Sequence, residues 1–317
     1  MAEISVIIPL YNEEGNLVLL HERLTAAMAG LERSYEVVFV DDGSHDCSLQ
    51  VLQSLHQADP EHVRIVELRR NFGKTAALVA GFQMAGGDII ITMDADLQDD
   101  PAEIPGMLAE LDKGNDLVAA WRKERMDATK KRLSSRIFNA VVGRLAGTDL
   151  HDLNCGFKVY RRSVIESVRL YSDLHRYVPV LAAWQGFKVV EKEVVHYPRH
   201  AGVSKYGTGR IARGFMDLVT VLFITRYLRH PMRLFGWIGF FIFLGGGATN
   251  FYLACLWLIR FLGLANIGPI GTRPLLAVGV LAMLLGVQLI SIGLLGEMLR
   301  YFTYRPDEEF SIRRMWS

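Results

Sequence analysis

Mostly apolar runs punctuate the first part of the chain at residues 4–10, 35–40, 63–68, 89–93 and 116–121, each closed by a polar or glycine-bearing turn. Their length and their Val and Ile content predict strands buried on both faces. The segments between them have helical length. Asn12 with two following glutamates predicts an N-cap for a helix reaching Ala29, and Gly73 opens another helix. Strand and helix in alternation predict an α/β fold: a mostly parallel sheet with helices on both faces and ligands at the carboxyl ends of the strands. That edge would gather Tyr11-Asn12-Glu13, Asp41-Asp42-Gly43-Ser44, Asn71-Phe72-Gly73-Lys74 and Asp94-Ala95-Asp96.

The pattern then changes. Arg122, Lys123, Arg125, Lys130, Lys131, Arg132 and Arg136 precede Ile137, Phe138, Val141 and Val142. This reads as an amphipathic helix over 131–146 at a membrane surface, with a plain exposed helix as the alternative. Residues 211–228 repeat the theme, with Phe215, Leu218, Val219, Leu222 and Phe223 as the apolar side. After them, residues 234–259 and 274–296 form uncharged stretches of 26 and 23 residues, each above the roughly 20 that cross a bilayer as a helix. Two transmembrane helices are expected, against a buried helical hairpin of a soluble protein. Gly245-Gly246-Gly247 in the first and Gly286, Gly293 and Gly296 in the second permit close approach.

Arginines set the orientation. Arg226, Arg229 and Arg233 precede the first span and Arg300 and Arg305 follow the second, while the connection carries only Arg260 and Arg273. The positive-inside rule therefore puts both termini in the cytosol of an inner or plasma membrane protein. The expected layout is a cytosolic catalytic domain over 1–206, an amphipathic juxtamembrane helix over 207–232, two spans with a short external loop over 233–300, and a cytosolic tail over 301–317.

Composition agrees: 317 residues with 50% hydrophobic and 22% charged is apolar for a soluble protein. The opening MAEISVIIPL has no basic region of signal-peptide type and reads as a first strand. Cys47, Cys155 and Cys255 are few and scattered, which suits a reducing cytosol and excludes a structural zinc motif. A net charge of +1 gives no support for nucleic acid as a partner.

The densest chemistry is DIIITMDADLQDDP at 88–101. In an extended chain Asp94, Asp96 and Gln98 would project to one side and offer oxygen ligands to a hard cation, Mg²⁺ or Mn²⁺, whose other positions substrate phosphates fill. The bland alternative is an acid-rich turn before a helix, with Asp100 as N-cap and Pro101 at the first helical position. Neither GxGxxG nor GxxxxGK[ST] follows the first strand, which argues against a dinucleotide-binding Rossmann unit and a P-loop. The stretch HYPRHAGVSKY at 196–206 suits phosphate binding, and a solvated basic loop would look similar.

Taken together, SVIIPLYNEEGNL at 5–17, VDDGSHD at 40–46, RNFGKTAAL at 70–78, MDADLQDDPAEIP at 93–105, DLNCGFKVYRR at 152–162 and RHAGVSKY at 199–206 resemble the polyprenyl-phosphate glycosyltransferases of glycosyltransferase family 2. That group includes dolichol-phosphate mannose synthase and the bactoprenol (undecaprenyl-phosphate) glucosyltransferases. The resemblance implies a GT-A fold, a divalent metal and a nucleotide-sugar donor. It implies that Pro9, Tyr11, Glu13, Val40 and Asp42 hold base and ribose, with Asp42 on the base. Asp94, Ala95 and Asp96 would take the nucleotide and metal, with Gln98 a further metal ligand. Asp152 and Arg122 would join Asp94 and Asp96 in catalysis. Arg199 and Lys205 would meet the donor diphosphate, and Arg122, Arg136, Ser204 and Lys205 the acceptor phosphate. Lys158 stands where the family motif Gly-Phe-Arg has arginine.

The implied reaction is inverting, metal-dependent transfer of a hexose to undecaprenyl or another polyprenyl phosphate at the cytosolic face, with glucose from UDP-glucose the first expectation. UDP-galactose, UDP-N-acetylglucosamine, a UDP-linked modified arabinose and GDP-mannose are alternatives. A family 2 enzyme with another acceptor is a nearby reading, although no QxxRW-type motif is present. A non-catalytic nucleotide-sugar-binding membrane scaffold is the reading from another class. The expected partners are the nucleotide sugar, the polyprenyl phosphate, membrane lipid, a lipid-sugar flippase, a downstream transferase and further copies of the chain, a tetramer by the bactoprenol resemblance.

Overall fold

The computed structural model describes residues 2–122, 150–152, 155–168, 174–195, 197, 220, 223, 227, 230–264 and 268–303. They divide into two compact units, Met1–Val221 and Leu222–Glu309. Arg136, Arg199, Ser204, Lys205 and the amphipathic segments 131–146 and 211–228 lie wholly or almost wholly outside the described residues.

In the first unit seven strands form one sheet: β1 (Ile4–Leu10), β2 (Tyr35–Asp41), β3 (Val63–Glu67), β4 (Ile89–Thr92), β5 (Leu117–Trp121), β6 (Lys158–Arg161) and β7 (Val189–Glu193), in the order β3-β2-β1-β4-β6-β5-β7. Only β6 runs against its neighbours β4 and β5, and the remaining pairs are parallel. The mixed sheet is thus mostly parallel. β1 pairs with β2 on one side and β4 on the other. The winding reverses there, and a crevice opens beyond the carboxyl ends of the strands at such a point.

Helices cover both faces because the β1 side chains alternate. Ile4, Val6, Ile8 and Leu10 join the core made with α1 (Leu17–Ala29), α2 (Ser48–Ala58) and α4 (Ile104–Asp112). Ile7 faces α3 (Lys74–Met84) on the other side, where a Cβ on Gly81 would come within 2.4 Å of the Ile7 side chain and 3.2 Å of Val40. Burial of Leu17, Leu20, Leu24 and Met28 along α1 follows the helical period. Among the described residues the unit also has two shorter helices, α5 (Arg162–Ser167) and α6 (Val178–Trp184).

The expected start of the first helix is corrected. α1 begins at Leu17 with Asn16 as its N-cap residue. Asn12 instead has φ +52° and accepts the His45 N–H at 2.8 Å, while Glu13 accepts from the Asn16 side chain at 2.7 Å. These side chains tie loops together rather than cap a helix, which delays the helix by one turn.

The second unit is a helical hairpin of α7 (Pro231–Phe261) and α8 (Pro274–Thr303). Both helices are long and apolar enough to span a membrane, and only 11% of the most apolar window of each is buried. A core helix of a soluble protein would bury most of that surface. Cβ atoms on Gly239 and Gly246 would lie 2.6 Å from the carbonyl oxygens of Gly286 and Gly279, so these glycines let the backbones touch. Of the Gly245-Gly246-Gly247 run only the middle residue makes such an approach.

Candidate active site

A cleft of about 300 Å³ opens at the carboxyl ends of β1, β2 and β4, lined by residues that include Pro9, Tyr11, Glu13, Asp42, Asn71, Lys74, Asp94, Ala95 and Asp96. It collects the strand-end loops expected at this edge. A larger cleft beside α1, lined by Arg23, Leu97, Asp100 and Tyr197 among others, lacks that convergence of acids and lysine.

On the β1–β2 side, backbone N–H groups are donated across loops to side chains. Asn12 N–H donates to Ser44 Oγ at 2.8 Å, Glu13 N–H to Ser48 Oγ at 2.9 Å, and Cys47 N–H to Glu14 Oε2 at 2.7 Å. Gly43 has φ +69°, and a Cβ there would lie 2.6 Å from the Arg70 carbonyl carbon, so glycine is required at this crossing. Asp42 is buried; its Oδ1 accepts the Phe72 N–H at 2.7 Å and its Oδ2 the Gly73 N–H at 2.8 Å. Both oxygens therefore hold the loop that carries Lys74. Val40 is fully buried with its side chain against α3, so any contact from Val40 to a nucleotide would rest on its backbone.

The β4 side is built from charges. β4 stops at Thr92, and Leu97 adopts φ +59°, so the chain through Asp94, Asp96 and Gln98 is a turn and the strand alternation expected for the three does not apply. Asp94 and Asp96 line the cleft; Gln98 is not among its lining residues, and its N–H donates to Asp96 Oδ1 at 3.2 Å. The Lys74 ammonium donates to Asp94 Oδ1. Burial works against the Asp94 charge, but Lys74, with a smaller contribution from Arg122, outweighs it and holds the carboxyl below its ordinary range. Asp100 caps a 3₁₀ turn, Pro101–Glu103, through the Ala102 N–H at 3.0 Å. The acid-rich stretch thus supplies both a helix cap and two cleft carboxylates.

Arg122, just past β5, makes a bidentate pair with the buried Asp152, Nε to Oδ2 at 2.8 Å and Nη2 to Oδ1 at 3.2 Å. Glu191 accepts the Asp152 N–H at 2.8 Å and fixes this pair from behind. Neither Arg122 nor Asp152 is among the cleft's lining residues.

Sequence reasoning gave no role to Lys74, Lys158, Cys155 or His175. For Lys74 the signal was present in Asn71-Phe72-Gly73-Lys74, a turn glycine followed by a cation at a helix start. The others carry no local motif for burial. Burial pushes the Cys155 thiol up to about 12 and the Lys158 amine down to about 8. Burial first, then Lys74, pushes His175 down to about 2, and its Nδ1 shares a 2.7 Å hydrogen bond with Thr75 Oγ1.

Among the described residues no three His, Cys, Asp or Glu side chains form a metal cluster. The donor set still fits Mg²⁺ or Mn²⁺. Two carboxylates beside open cleft volume are what such ions use when phosphate oxygens complete the shell, and Lys74 would have to yield Asp94 to the ion.

The model of glycosyl transferase family 2 matches residues 5–169. The chain is 41% identical over 312 residues to the dodecaprenyl-phosphate galacturonate synthase of Rhizobium johnstonii, covering 96% of this chain and 90% of that protein. It is 38% identical over 314 residues to the undecaprenyl-phosphate 4-deoxy-4-formamido-L-arabinose transferase of Pseudomonas aeruginosa, covering 98% and 90%. Among solved structures, glucosyl-3-phosphoglycerate synthase from Mycobacterium tuberculosis with Mn²⁺, uridine diphosphate and phosphoglyceric acid aligns with a TM-score of 0.55 at 16% identity, over 71% of this chain and 78% of the other. The same enzyme with Mg²⁺ and uridine diphosphate aligns at 0.54 and 18%, over 71% and 79%. At such identities the likeness concerns the fold.

Proposed function

The chain belongs to glycosyltransferase family 2, and from that premise we propose that its cleft binds a nucleoside diphosphate sugar with a divalent ion and passes the sugar to a polyprenyl phosphate held at the membrane surface. It is a glycosyltransferase whose acceptor is a polyprenyl phosphate, as its relatives' names state of them. The observation that carries the reading is the meeting of Asp94, Asp96, Lys74 and Glu13 in one cleft at the point where the sheet winding reverses.

In this reading Pro9, Tyr11, Glu13 and Asp42 border the base and ribose, and Asp42 acts partly by holding the Asn71–Lys74 loop. Asp94 and Asp96 would hold a divalent ion, which when bound would supply Lewis-acid stabilisation of the departing diphosphate. Lys74 adds a movable positive charge beside it. A phosphate oxygen of the lipid attacks the anomeric carbon from the face opposite the leaving group; the new C–O bond forms as the bond to the nucleoside diphosphate breaks, with inversion. Phosphate monoesters have a second pKa of about 6, so the acceptor is largely ionised at neutral pH and needs no strong base. The geometry supports this: His175 is a very weak base, and Asp152 is bonded to Arg122.

The acceptor phosphate would be met by Arg122, Arg136, Arg199, Ser204 and Lys205. Moving the lipid into water would cost about 0.8 kcal/mol per CH₂, so the site must come to the bilayer. The apolar hairpin supports an inner-membrane protein; both termini are proposed to be cytosolic from the arginine distribution, and a homo-oligomer is proposed from the family resemblance. The nucleotide is proposed to be uridine diphosphate, the one bound in the structural relatives. Glucose was the sugar first expected. The sequence relatives named for galacturonate and a formamido-arabinose put a uronate and a modified pentose at the head of the panel.

The test is incorporation of label from UDP-galacturonate, UDP-4-deoxy-4-formamido-L-arabinose, UDP-glucose and GDP-mannose into organic-extractable product with undecaprenyl phosphate. One donor should dominate. Tight donor binding with no lipid product from any of them would favour the scaffold reading.

A further inference from the structure

Lys158 is the first residue of β6, in the middle of the sheet, opposite Thr92 on β4 and Ala119 on β5. It is 3% exposed. An ammonium in that position is unfavourable for folding; Asp152 and Asp94 lie near enough to favour its charge, yet its hydrogen bond among the described residues goes to a neutral group, the Cys155 carbonyl. What the amine accomplishes is local. The next carbonyl, that of Gly156, accepts the Thr92 Oγ1 hydrogen bond at 2.8 Å. Two successive peptide carbonyls are therefore held by two side chains that are cross-strand neighbours.

The clamped backbone lies against Asp94, a residue that lines the cleft. A Cβ built on Gly156 would sit 2.6 Å from Asp94 Oδ1 and 2.9 Å from Oδ2, so the Gly156 main chain forms one wall for that carboxylate, while Lys74 bonds to Oδ1. We propose that Lys158 is a positioning residue for sugar transfer: by holding the Cys155 carbonyl it fixes Gly156 against Asp94, and so sets the orientation in which that carboxylate meets the divalent ion and the diphosphate. This rests on the metal-site reading given above. Side chains that orient metal ligands without touching the metal typically change affinity or turnover 10–100-fold when removed, that is by about one to two orders of magnitude.

The test uses the full-length protein in detergent, with Mn²⁺ binding in the presence of uridine diphosphate followed by calorimetry and by the Mn²⁺ electron paramagnetic resonance spectrum. Lys158→Met should weaken Mn²⁺ binding about tenfold and broaden the spectrum, and lower kcat more than it raises the donor KM. Lys158→Arg should recover most of both. Gly156→Ala attacks the same contact from the other side and should reproduce the weakened binding even where Lys158→Met expresses poorly. Unchanged Mn²⁺ affinity, spectrum and kcat in Lys158→Met, with only a lower Tm, would overturn the proposal whatever Gly156→Ala does, because a Cβ at Gly156 meets Asp94 directly. Asp94→Asn separates the two readings. If it binds Mn²⁺ like the wild type, the metal site itself is wrong; if it loses binding while Lys158→Met keeps it, only the role of Lys158 fails.

Discussion

The two sides of the cleft are built on different physics. Beside β1 and β2, loops are laced by backbone N–H groups donating to Ser44, Ser48, Glu14 and Asp42 at 2.7–2.9 Å, so the shape exists before any ligand arrives. Beside β4 the cleft is lined by an ion pair, Lys74 with Asp94, and a second pair, Arg122 with Asp152 past β5, lies outside its lining. Hydrogen bonds to the main chain are hard to exchange, whereas a carboxylate shared with a mobile ammonium can take a new cation. Under the proposed function, the rigid side would meet the nucleoside and the charged side the diphosphate, where charge moves during reaction.

The comparison is broken most severely at the carboxylates. Asp94→Asn and Asp96→Asn should each lower transfer roughly 10³-fold while Tm changes by no more than a few degrees. Loss of fold instead of turnover would mean that the charged side is architecture. Next comes Arg122→Met, which removes the arginine from a buried ion pair with Asp152 and should destabilise the catalytic unit by about 3–5 kcal/mol in denaturant titration. Adding Asp152→Asn should restore most of that. Failure of the second substitution to help would show that the pair is not coupled.

On the rigid side effects should be smaller and appear in binding. Asp42→Asn can accept only one of the two loop N–H groups, an expected penalty of about 1–2 kcal/mol, read as roughly tenfold weaker uridine diphosphate binding with little change in kcat. An equal loss in kcat would erase the distinction between the sides. The smallest effect on the cleft is expected from Glu36, on the same strand but away from the edge. It accepts from Ser5 at 2.7 Å, the Gly86 N–H at 2.6 Å and Arg64 at 2.6 Å. Burial opposes its charge, yet these partners outweigh burial and hold its carboxyl below the ordinary range. A depressed folded value contributes stability above the usual carboxyl range and loses it as pH falls through the folded value. Glu36→Gln should therefore flatten the acid limb of the stability profile and leave donor affinity within about twofold.

Much of this arrangement can be read from the chain. β1 to β5 announce themselves because they are apolar runs closed by turns, and the acids at their ends fall into one cleft because parallel strands share an edge. β6 and β7 escape that reading. β6 is four residues long and begins on a buried lysine, and β7, VVEKE, is short and only partly buried. The helix start after β1 was misplaced for a related reason: Asn12 and Glu13 look like caps locally, and only the neighbouring β2–α2 loop shows what they bond to. Strand alternation likewise could not foresee the positive φ at Leu97 that turns the chain between Asp96 and Gln98. The pairing of Arg122 with Asp152 joins residues 30 apart in sequence, beyond any local pattern.

The proposed function requires a divalent ion at Asp94 and Asp96 serving transfer to a lipid phosphate. The most direct measurement is formation of organic-extractable labelled sugar from the preferred donor and undecaprenyl phosphate, before and after EDTA and then with Mg²⁺ or Mn²⁺ restored. Product that disappears with EDTA and returns with the ion, and that Asp96→Asn never forms, is the predicted result. Undiminished lipid product in excess EDTA, or full product from Asp96→Asn, would contradict it.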